Sequence, residues 1–235
     1  MGMIVSYNRG AQASKPHLAY GEDGQSLFTD FNSTLAKDPV VTKDGTVADS
    51  QASALGSVVV LDQGGSLLSN NSGHCFRPAD GVVFSGAARA ISIFGANDTV
   101  NHDIGFSNNA DANPAESIGF TLTSVGDGTD SSPAEATTVV CRYDDGSTDS
   151  SVTLASTQLP DSFSVEGFNE YRVLVECEGG AVVAKYFVNG TQVAEINKSG
   201  GAWAAAGLKW AVTNLTGSAT HDIGVDWISL GSNVR

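Results

Sequence analysis

The sequence has few basic residues. Lysine and arginine number 12 against 26 aspartates and glutamates, which gives a formal net charge of −14. So few cations cannot neutralise many phosphates, and we therefore expect neither a nucleic acid nor an anionic membrane as a partner. Long apolar runs are also missing. Runs such as residues 57–61 (SVVVL) fall far below the roughly 20 residues of a membrane-spanning helix.

Cysteine is scarce as well. The three cysteines make an odd number, and the first residues, MGMIVSYNRG, lack the basic and apolar regions of a secretory signal. These features argue against a disulfide framework. Cys141 and Cys177 lie in strand-like runs, so we interpret them as small buried thiols, although one disulfide remains an alternative.

Helical periodicity is absent, whereas strand signals are abundant. From residue 57 onward, about a dozen short runs rich in apolar residues follow one another, with Gly, Asp, Asn and Ser between them. This spacing predicts an antiparallel sandwich or barrel. The run 171–178 alternates apolar and polar residues apart from Leu174, and the pair Asn189-Gly190 predicts a tight hairpin within 181–196.

Residues 1–56 differ from the rest because they are polar and only weakly periodic. Two apolar clusters stand out, formed by Met3, Ile4 and Val5 and by Leu27, Phe28 and Phe31. We predict an extended N-terminal arm over 1–56 that packs on the domain or on a neighbour, followed by a β-sandwich domain over 57–235. The alternative is that 1–56 supplies two ordinary edge strands.

The C-terminal half carries a distinctive order of segments. A strand at 169–176 (NEYRVLVE) leads to a Gly-Gly turn, then to 185–193 (KYFVNGTQV) and to a last strand at 223–230 (IGVDWISL). This order resembles the concanavalin A-like lectin/glucanase jelly roll, particularly the versions in phage and other virion proteins. The resemblance covers about 57–230 and implies an all-β antiparallel jelly-roll sandwich. The family includes glycan-binding lectins, glucan hydrolases and assembly modules, and each predicts different residues.

A hydrolase of this family would carry three carboxylates spaced close to E-x-D-x-x-E on one strand. Glu176 and Glu178 are two residues apart, but no third carboxylate lies in register with them. Two carboxylates on an exposed strand face are commonly solubilising, so we expect no catalytic residues and no enzymatic activity.

A lectin of this family would use acidic loops and aromatic side chains. The loops that hold Asp127 and Asp130, and Asp144, Asp145 and Asp149, could offer the oxygen ligands that calcium takes, although Asp-Gly-Ser is also common turn chemistry. Tyr143 and Trp203 are candidates for stacking on a sugar. We expect Trp203 to be exposed, with a core position as the alternative.

The tetrapeptide HDIG occurs at 102–105 and at 221–224. A His-Asp pair invites comparison with metal phosphohydrolases, but both copies lie in strand-like segments, so we reject that metal site. We interpret the repeat as two adjacent strands with their isoleucines inside and a His-Asp hydrogen bond at each start.

These observations predict a non-enzymatic virion structural protein, of the phage capsid decoration or cement type. The arm would bind a capsid or other virion protein, and the chain would form a homo-oligomer, with a trimer suiting a capsid's threefold axes. The location would be the virion, assembled in the host cytoplasm. This role needs no cofactor. The alternative is a carbohydrate-binding module of a phage tail or surface assembly, with calcium as a candidate cofactor, and the third hypothesis is a glycan hydrolase.

Overall fold

Two antiparallel sheets make up the part of the chain that can be described. The computed structural model describes residues 25–29, 41–44, 47–53, 56–61, 66–69, 76–93, 99–108, 114–126, 134–165, 167–199, 201, 203, 207–215 and 222–233. Apart from a short 3-10 turn at Ser156–Gln158, the regular structure in these ranges is β-strand. Within them, no helix has the length and apolar character needed to cross a bilayer.

Fifteen strands are described. They are β1 (Gln25–Thr29), β2 (Val41–Asp44), β3 (Val47–Ser53), β4 (Gly56–Leu61), β5 (Ser66–Ser69), β6 (Val83–Ile93), β7 (Thr99–Ser107), β8 (Ser117–Gly126), β9 (Ala134–Asp144), β10 (Asp149–Leu154), β11 (Asn169–Glu178), β12 (Ala181–Val188), β13 (Thr191–Ser199), β14 (Lys209–Asn214) and β15 (Asp222–Ser232).

The strands form an eight-stranded and a seven-stranded sheet. The eight-stranded sheet has the order β13-β12-β11-β6-β15-β4-β3, and β1 pairs with a later part of β15 than β4 does. The seven-stranded sheet has the order β10-β9-β8-β7-β14-β5-β2. Side chains from both sheets fill one core between them. The predicted all-β jelly-roll sandwich is confirmed.

The predicted alternation along β11 is confirmed. Tyr171, Val173, Val175 and Cys177 are buried, whereas Leu174 lies on the opposite, partly exposed face. The hairpin that follows β12 turns at Asn189 and Gly190, whose φ angles are 47° and 80°, as the Asn-Gly pair predicts. Cys141 and Cys177 are buried free thiols, and Cys75 lies outside the described residues.

Strand β6 differs from its prediction. Its pattern predicts two strands, at 81–85 and 89–94, but the structure has one continuous strand. The small residues Gly86, Ala87 and Ala88 interrupt the apolar pattern. Gly86 is small because Trp210 packs against it: a Cβ atom there would stand 2.1 Å from Cε3 of the indole ring.

The N-terminal segment supplies strands to both sheets. β2 and β3 are the terminal strands of the seven-stranded and eight-stranded sheets, and β1 also comes from 1–56. Edge strands were the alternative to an extended arm over 1–56, and the division of the chain at residue 56 stays a prediction. Leu27 and Phe28 belong to β1, while Met3, Ile4, Val5 and Phe31 lie outside the described residues. The role of the segment in assembly stays a prediction.

The interpretation of the HDIG repeat needs correction. The first copy lies in β7 of the seven-stranded sheet, and residues 222–224 of the second lie in β15 of the other sheet, so the two strands are not neighbours. Ile104 and Ile223 are both buried, as expected. Asp103 bonds to Thr121 and Arg142 instead of His102, because consecutive residues of a strand point to opposite faces.

Candidate functional site

Two identical tripeptides lie side by side in the middle of the seven-stranded sheet. Residues 104–106 of β7 and 118–120 of β8 both read Ile-Gly-Phe, and the antiparallel register places Gly105 opposite Gly119. Strand alternation directs the isoleucines and phenylalanines into the core, where all four are fully or almost fully buried. The two glycines therefore occupy the outer face of the sheet.

The glycine pair leaves bare backbone on that face. A Cβ atom on Gly105 would stand 2.4 Å from Cα of Gly119, and one on Gly119 would stand 2.6 Å from the carbonyl oxygen of Ile104. Side chains at either position would require the backbone to move. The sequence thus folds into a sheet whose outer face has a floor without side chains at these two positions, and both glycines are buried.

A shallow depression lies over this floor, and we call it the outer depression. It is small, with enclosed space for about one water molecule, and the rest of it is open to solvent. Its lining includes outward-facing residues of four neighbouring strands: Asp103, Gly105, Ser117, Gly119, Arg142 and Thr213. Asp103 and Arg142 are the charged groups among these lining residues.

An ion pair spans the outer depression. Arg142 Nη2 donates to Asp103 Oδ2 at 3.1 Å and lies 3.3 Å from Ser117 Oγ. Thr121 Oγ1 donates to Asp103 Oδ1 at 2.6 Å. The aspartate and arginine side chains remain 15% and 24% exposed, so both groups are fixed in position yet reachable from solvent.

Burial governs the protonation of this aspartate. Loss of solvent raises the pKa of the Asp103 carboxyl above its ordinary value, while the positive charge of Arg142 and the hydrogen bonds from Thr121 and Arg142 act in the opposite direction. Each carboxylate oxygen can accept more than one hydrogen bond, and a guanidinium has five donors. The pair can therefore accept from and donate to the hydroxyl groups of one ligand.

The two predicted sugar-stacking aromatics are not in the outer depression. Tyr143 is fully buried and Trp203 is 5% exposed, and their rings pack edge to face with centroids 5.6 Å apart. Arg77 Nη2 holds this region by donating to the Trp203 carbonyl at 3.1 Å. The expectation that Trp203 is exposed is wrong. Trp203 has the core position that was the alternative. Neither the Tyr143 ring nor the Trp203 ring has an exposed face on which a sugar could stack.

The described aspartates of the candidate calcium loops do not fit a calcium site. Asp145 is buried, and its Oδ1 accepts hydrogen bonds from the backbone N–H groups of Ser147 and Thr148 at 2.9 and 2.7 Å. Asp144 likewise accepts from Gly146 at 2.8 Å. The described residues contain no group of three or more His, Cys, Asp or Glu placed to hold a metal.

The hydrogen bonds from backbone N–H groups to Asp144 and Asp145 are ordinary turn chemistry, which was the alternative interpretation of this loop. Asp149 pairs with Asp144 across the β9–β10 hairpin, where it is exposed. Asp127 and Asp130 lie outside the described residues.

The glutamates considered for hydrolysis lie on the other sheet. Glu176 belongs to β11 of the eight-stranded sheet, where its Oε2 accepts a hydrogen bond from Lys185 Nζ at 2.5 Å. Glu178 is exposed at the end of that strand. Neither is part of the outer depression, so the structure does not bring them together with Asp103.

Comparisons with known proteins support the fold. No protein-family model matches the sequence, and no curated protein sequence matches it. The structure is similar to peanut lectin, with 12% identity over 88% of this chain and 97% of that chain and a TM-score of 0.53.

It is also similar to two structures named for glucans. The endo-1,3-beta-glucanase from Streptomyces sioyaensis has 13% identity over 92% of this chain and 99% of that chain, with a TM-score of 0.51. A GH16 protein from a Bacteroides ovatus mixed linkage glucan locus, in complex with a G4G4G3G product, has 11% identity over 87% and 99%, with a TM-score of 0.55. At such identities the similarity establishes the fold, and the chain has the concanavalin A-like lectin/glucanase jelly roll.

Sequence reasoning missed the outer depression although a signal was present. The tripeptide Ile-Gly-Phe occurs at 104–106 and again at 118–120. A glycine flanked by two large apolar residues in a strand marks an outward position that is kept without a side chain. Because the tripeptide occurs in two consecutive strands, this pattern could have predicted that both glycines lie on the same face of the sheet.

Proposed function

We propose that the protein is a carbohydrate-binding domain and that a neutral glycan binds in the outer depression. The observation that carries this proposal is the fixed, partly exposed Asp103–Arg142 pair in the outer depression. The fold agrees with it, because similar structures include a lectin and two proteins named for glucans. We take β-1,3- and mixed-linkage glucans as the first class to test.

The hydrogen-bonding groups suit a sugar. Asp103 can accept from a sugar hydroxyl while Arg142 holds its carboxylate in one orientation, and the guanidinium can donate to a neighbouring sugar oxygen. Binding groups on strands are also positioned more rigidly than groups on loops.

Electrostatics favour a neutral ligand. The charges of Asp103 and Arg142 cancel within the outer depression, and the whole chain carries a formal charge of −14. A polyanionic glycan would approach against this charge without a surplus of cations to receive it.

A glycan array tests the proposal. Labelled protein is applied to neutral oligosaccharides, including β-1,3- and mixed-linkage glucans, and to acidic oligosaccharides. We expect binding to neutral glycans, and at least about a tenfold loss of affinity for Asp103→Asn, because the variant removes a charged acceptor. Absence of binding to every neutral glycan, or a preference for acidic glycans, would overturn the proposal.

The eight-stranded sheet offers a matched control. Asp226 accepts from Arg89 Nη1 at 2.6 Å, and its side chain is 15% exposed, as is that of Asp103. Asp226→Asn therefore makes the same chemical change to a similar ion pair on the opposite side of the sandwich. We expect this variant to bind glycan as the parent protein does. Equal losses in the two variants would show that the effect comes from stability.

Hydrolysis is less well supported than binding. The usual glycoside hydrolase mechanism needs two carboxyl groups that flank the scissile bond. Among the described residues that line the outer depression, Asp103 is the only one with a carboxyl group. The expectation that the protein is not an enzyme stays a prediction, and an assay for reducing ends released from β-glucans tests it.

The virion role also stays a prediction. It comprises the capsid partner, the homo-oligomer, the assembly function of the N-terminal segment and the virion location. A shortened chain that begins at residue 25 keeps all fifteen described strands, so it separates assembly from folding. Loss of a discrete oligomer or of capsid binding in this shortened chain would support the role, whereas identical monomers for both chains would count against it.

A further inference from the structure

The hairpin turn between β12 and β13 contains the one Asn-Gly pair of the sequence, Asn189-Gly190. Such a pair is chemically labile. The backbone nitrogen of the glycine attacks Cγ of the asparagine side chain, and ammonia leaves as a cyclic succinimide forms. Water then opens this ring to aspartate or isoaspartate. The reaction needs no reagent besides water, and a following glycine favours it because glycine has no side chain to hinder the attack.

Three hydrogen bonds hold the side-chain amide of Asn189. Its Oδ1 accepts from the backbone N–H of Glu170 at 2.8 Å. Its Nδ2 donates to the Ser162 carbonyl oxygen at 2.9 Å and to Asn169 Oδ1 at 3.0 Å, so both amide hydrogens have an acceptor. The amide can neither turn toward the glycine nitrogen nor lose ammonia without breaking these bonds.

The same bonds attach a long loop to the hairpin. Residues 155–168 connect β10 to β11, and Ser162 belongs to this loop. Asn169, at the start of β11, is 3% exposed. Its Nδ2 donates to the carbonyl oxygens of Ser164 and Gly167 at 2.6 and 3.1 Å, and its Oδ1 accepts from the backbone N–H of Ser164 at 3.0 Å. Two asparagine side chains thus join the loop to β11 and to the turn after β12.

We propose that Asn189 is a deamidation site that the fold itself controls: the loop shields the amide from reaction, and the amide holds the loop. Conversion to aspartate would place an oxygen where Nδ2 now donates, facing the Ser162 carbonyl and Asn169 Oδ1. Rotation of the Asn169 amide brings no relief, because its oxygen would then face the carbonyls of Ser164 and Gly167. Deamidation therefore releases the loop from the hairpin.

The rate of deamidation tests the shielding. The parent protein and a peptide of residues 187–193 (FVNGTQV) are incubated under the same mildly alkaline conditions, and mass spectrometry after digestion follows the product. We expect the protein to react at least about tenfold more slowly than the peptide, because only molecules with an open loop react. Equal rates would overturn the inference.

A variant separates the loop from the turn as the source of this shielding. Asn169→Ala removes one acceptor of the Asn189 amide and the side-chain bonds that hold the loop. Once circular dichroism shows that it is folded, this variant should deamidate at Asn189 faster than the parent protein does. A folded variant that reacts as slowly as the parent would also overturn the inference.

Hydrogen exchange tests the hold on the loop. Asn189→Asp reproduces the product and keeps the Oδ1 acceptor, and aspartate tolerates the positive φ of this position as asparagine does. We expect the amides of Phe163 and Ser164, which are hydrogen-bonded in the parent at 2.8 and 3.0 Å, to exchange at least about tenfold faster.

Asn197→Asp is the matched control for this exchange measurement. It makes the same chemical change at an exposed position on β13. The loop amides of this variant should exchange as they do in the parent protein. Unchanged exchange of the loop in Asn189→Asp, or an equal acceleration in both variants, would overturn the inference.

Discussion

Gly105 and Gly119 lie directly opposite each other in β7 and β8, so close that a Cβ atom on Gly105 would stand 2.4 Å from Cα of Gly119. Contacts this short cannot be relieved by rotating a side chain, because the atoms involved belong to the backbone. The pair creates the floor of the outer depression. It also makes the site dependent on two positions that tolerate no side chain.

Gly119→Ala should destabilise the fold. The new Cβ atom would meet the Ile104 carbonyl oxygen at 2.6 Å, and we expect a loss of about 1–3 kcal/mol in the free energy of unfolding. Urea unfolding measures it. Ser151→Ala, at an exposed position on β10, is the control and should stay within about 0.5 kcal/mol. Equal stabilities for the two variants would contradict the close approach.

Gly86 and Trp210 should be energetically coupled. Gly86→Ala alone should cost about 1–3 kcal/mol, because its Cβ atom would overlap the buried indole. In a Trp210→Leu background the same substitution should cost at least about 1 kcal/mol less, since the ring is gone. A double-mutant cycle by urea unfolding gives the coupling. Additive costs would show that the ring does not set the size of residue 86.

His102 should make the fold sensitive to acid. The imidazole is buried, with Nε2 3.5 Å from Ser92 Oγ, and burial lowers its pKa to about 3. The unfolded chain takes up this proton near pH 6.5 and the folded chain does not, so stability is lost as pH falls below 6.5. Between pH 7 and pH 5 the loss should be about 2 kcal/mol.

Urea unfolding at several pH values measures this loss. His102→Gln removes the titrating group, so the variant should lose less stability than the parent protein over the same pH interval. Identical losses in the two proteins would contradict the account of a buried neutral imidazole.

As the pH is lowered, glycan binding should weaken. The weakening should begin at a higher pH than the ordinary pKa of an aspartate predicts. Burial raises the pKa of Asp103, and protonation neutralises both the acceptor and its pairing with Arg142. Isothermal titration with the glycan identified on the array, at pH values where circular dichroism shows a folded protein, follows this change. A glycan affinity that stays constant over the pH range in which the carboxyl group titrates would show that Asp103 does not contribute to binding.

Glu176→Gln should change neither binding nor fold appreciably. Glu176 pairs with Lys185 on the outer face of the eight-stranded sheet, and both side chains are more than a quarter exposed. Pairs of this kind contribute less than about 1 kcal/mol. The array and urea unfolding measure the two properties. If the parent protein released reducing ends and this variant did not, the protein would instead be a hydrolase whose site lies on the eight-stranded sheet.

Local patterns in the sequence predict much of this fold. Alternation along β11 identifies its buried face, and Asn189-Gly190 identifies a hairpin, because both depend on neighbouring residues alone. The prediction fails where small residues serve contacts between the sheets, as at Gly86 against Trp210. It also fails for the polar edge strand β3 (VADSQAS), which has little apolar periodicity.

The site could not be assembled from the sequence in the same way. Asp103 and Arg142 are separated by 39 residues, and only the pairing of three strands brings them together. Tyr143 and Trp203 suggested a sugar platform by their type, yet their positions bury both rings. Residue type indicates what a side chain can do, whereas register decides which side chains meet.

The most direct test of the account is the location of the bound glycan. Two-dimensional NMR of the labelled protein, titrated with the oligosaccharide found on the array, reports which groups sense the ligand. We expect the largest shifts at the amides of Gly105 and Gly119 and at the guanidinium of Arg142, which line the outer depression. Shifts confined to the eight-stranded sheet, such as at Glu176 and Val183, would contradict the account.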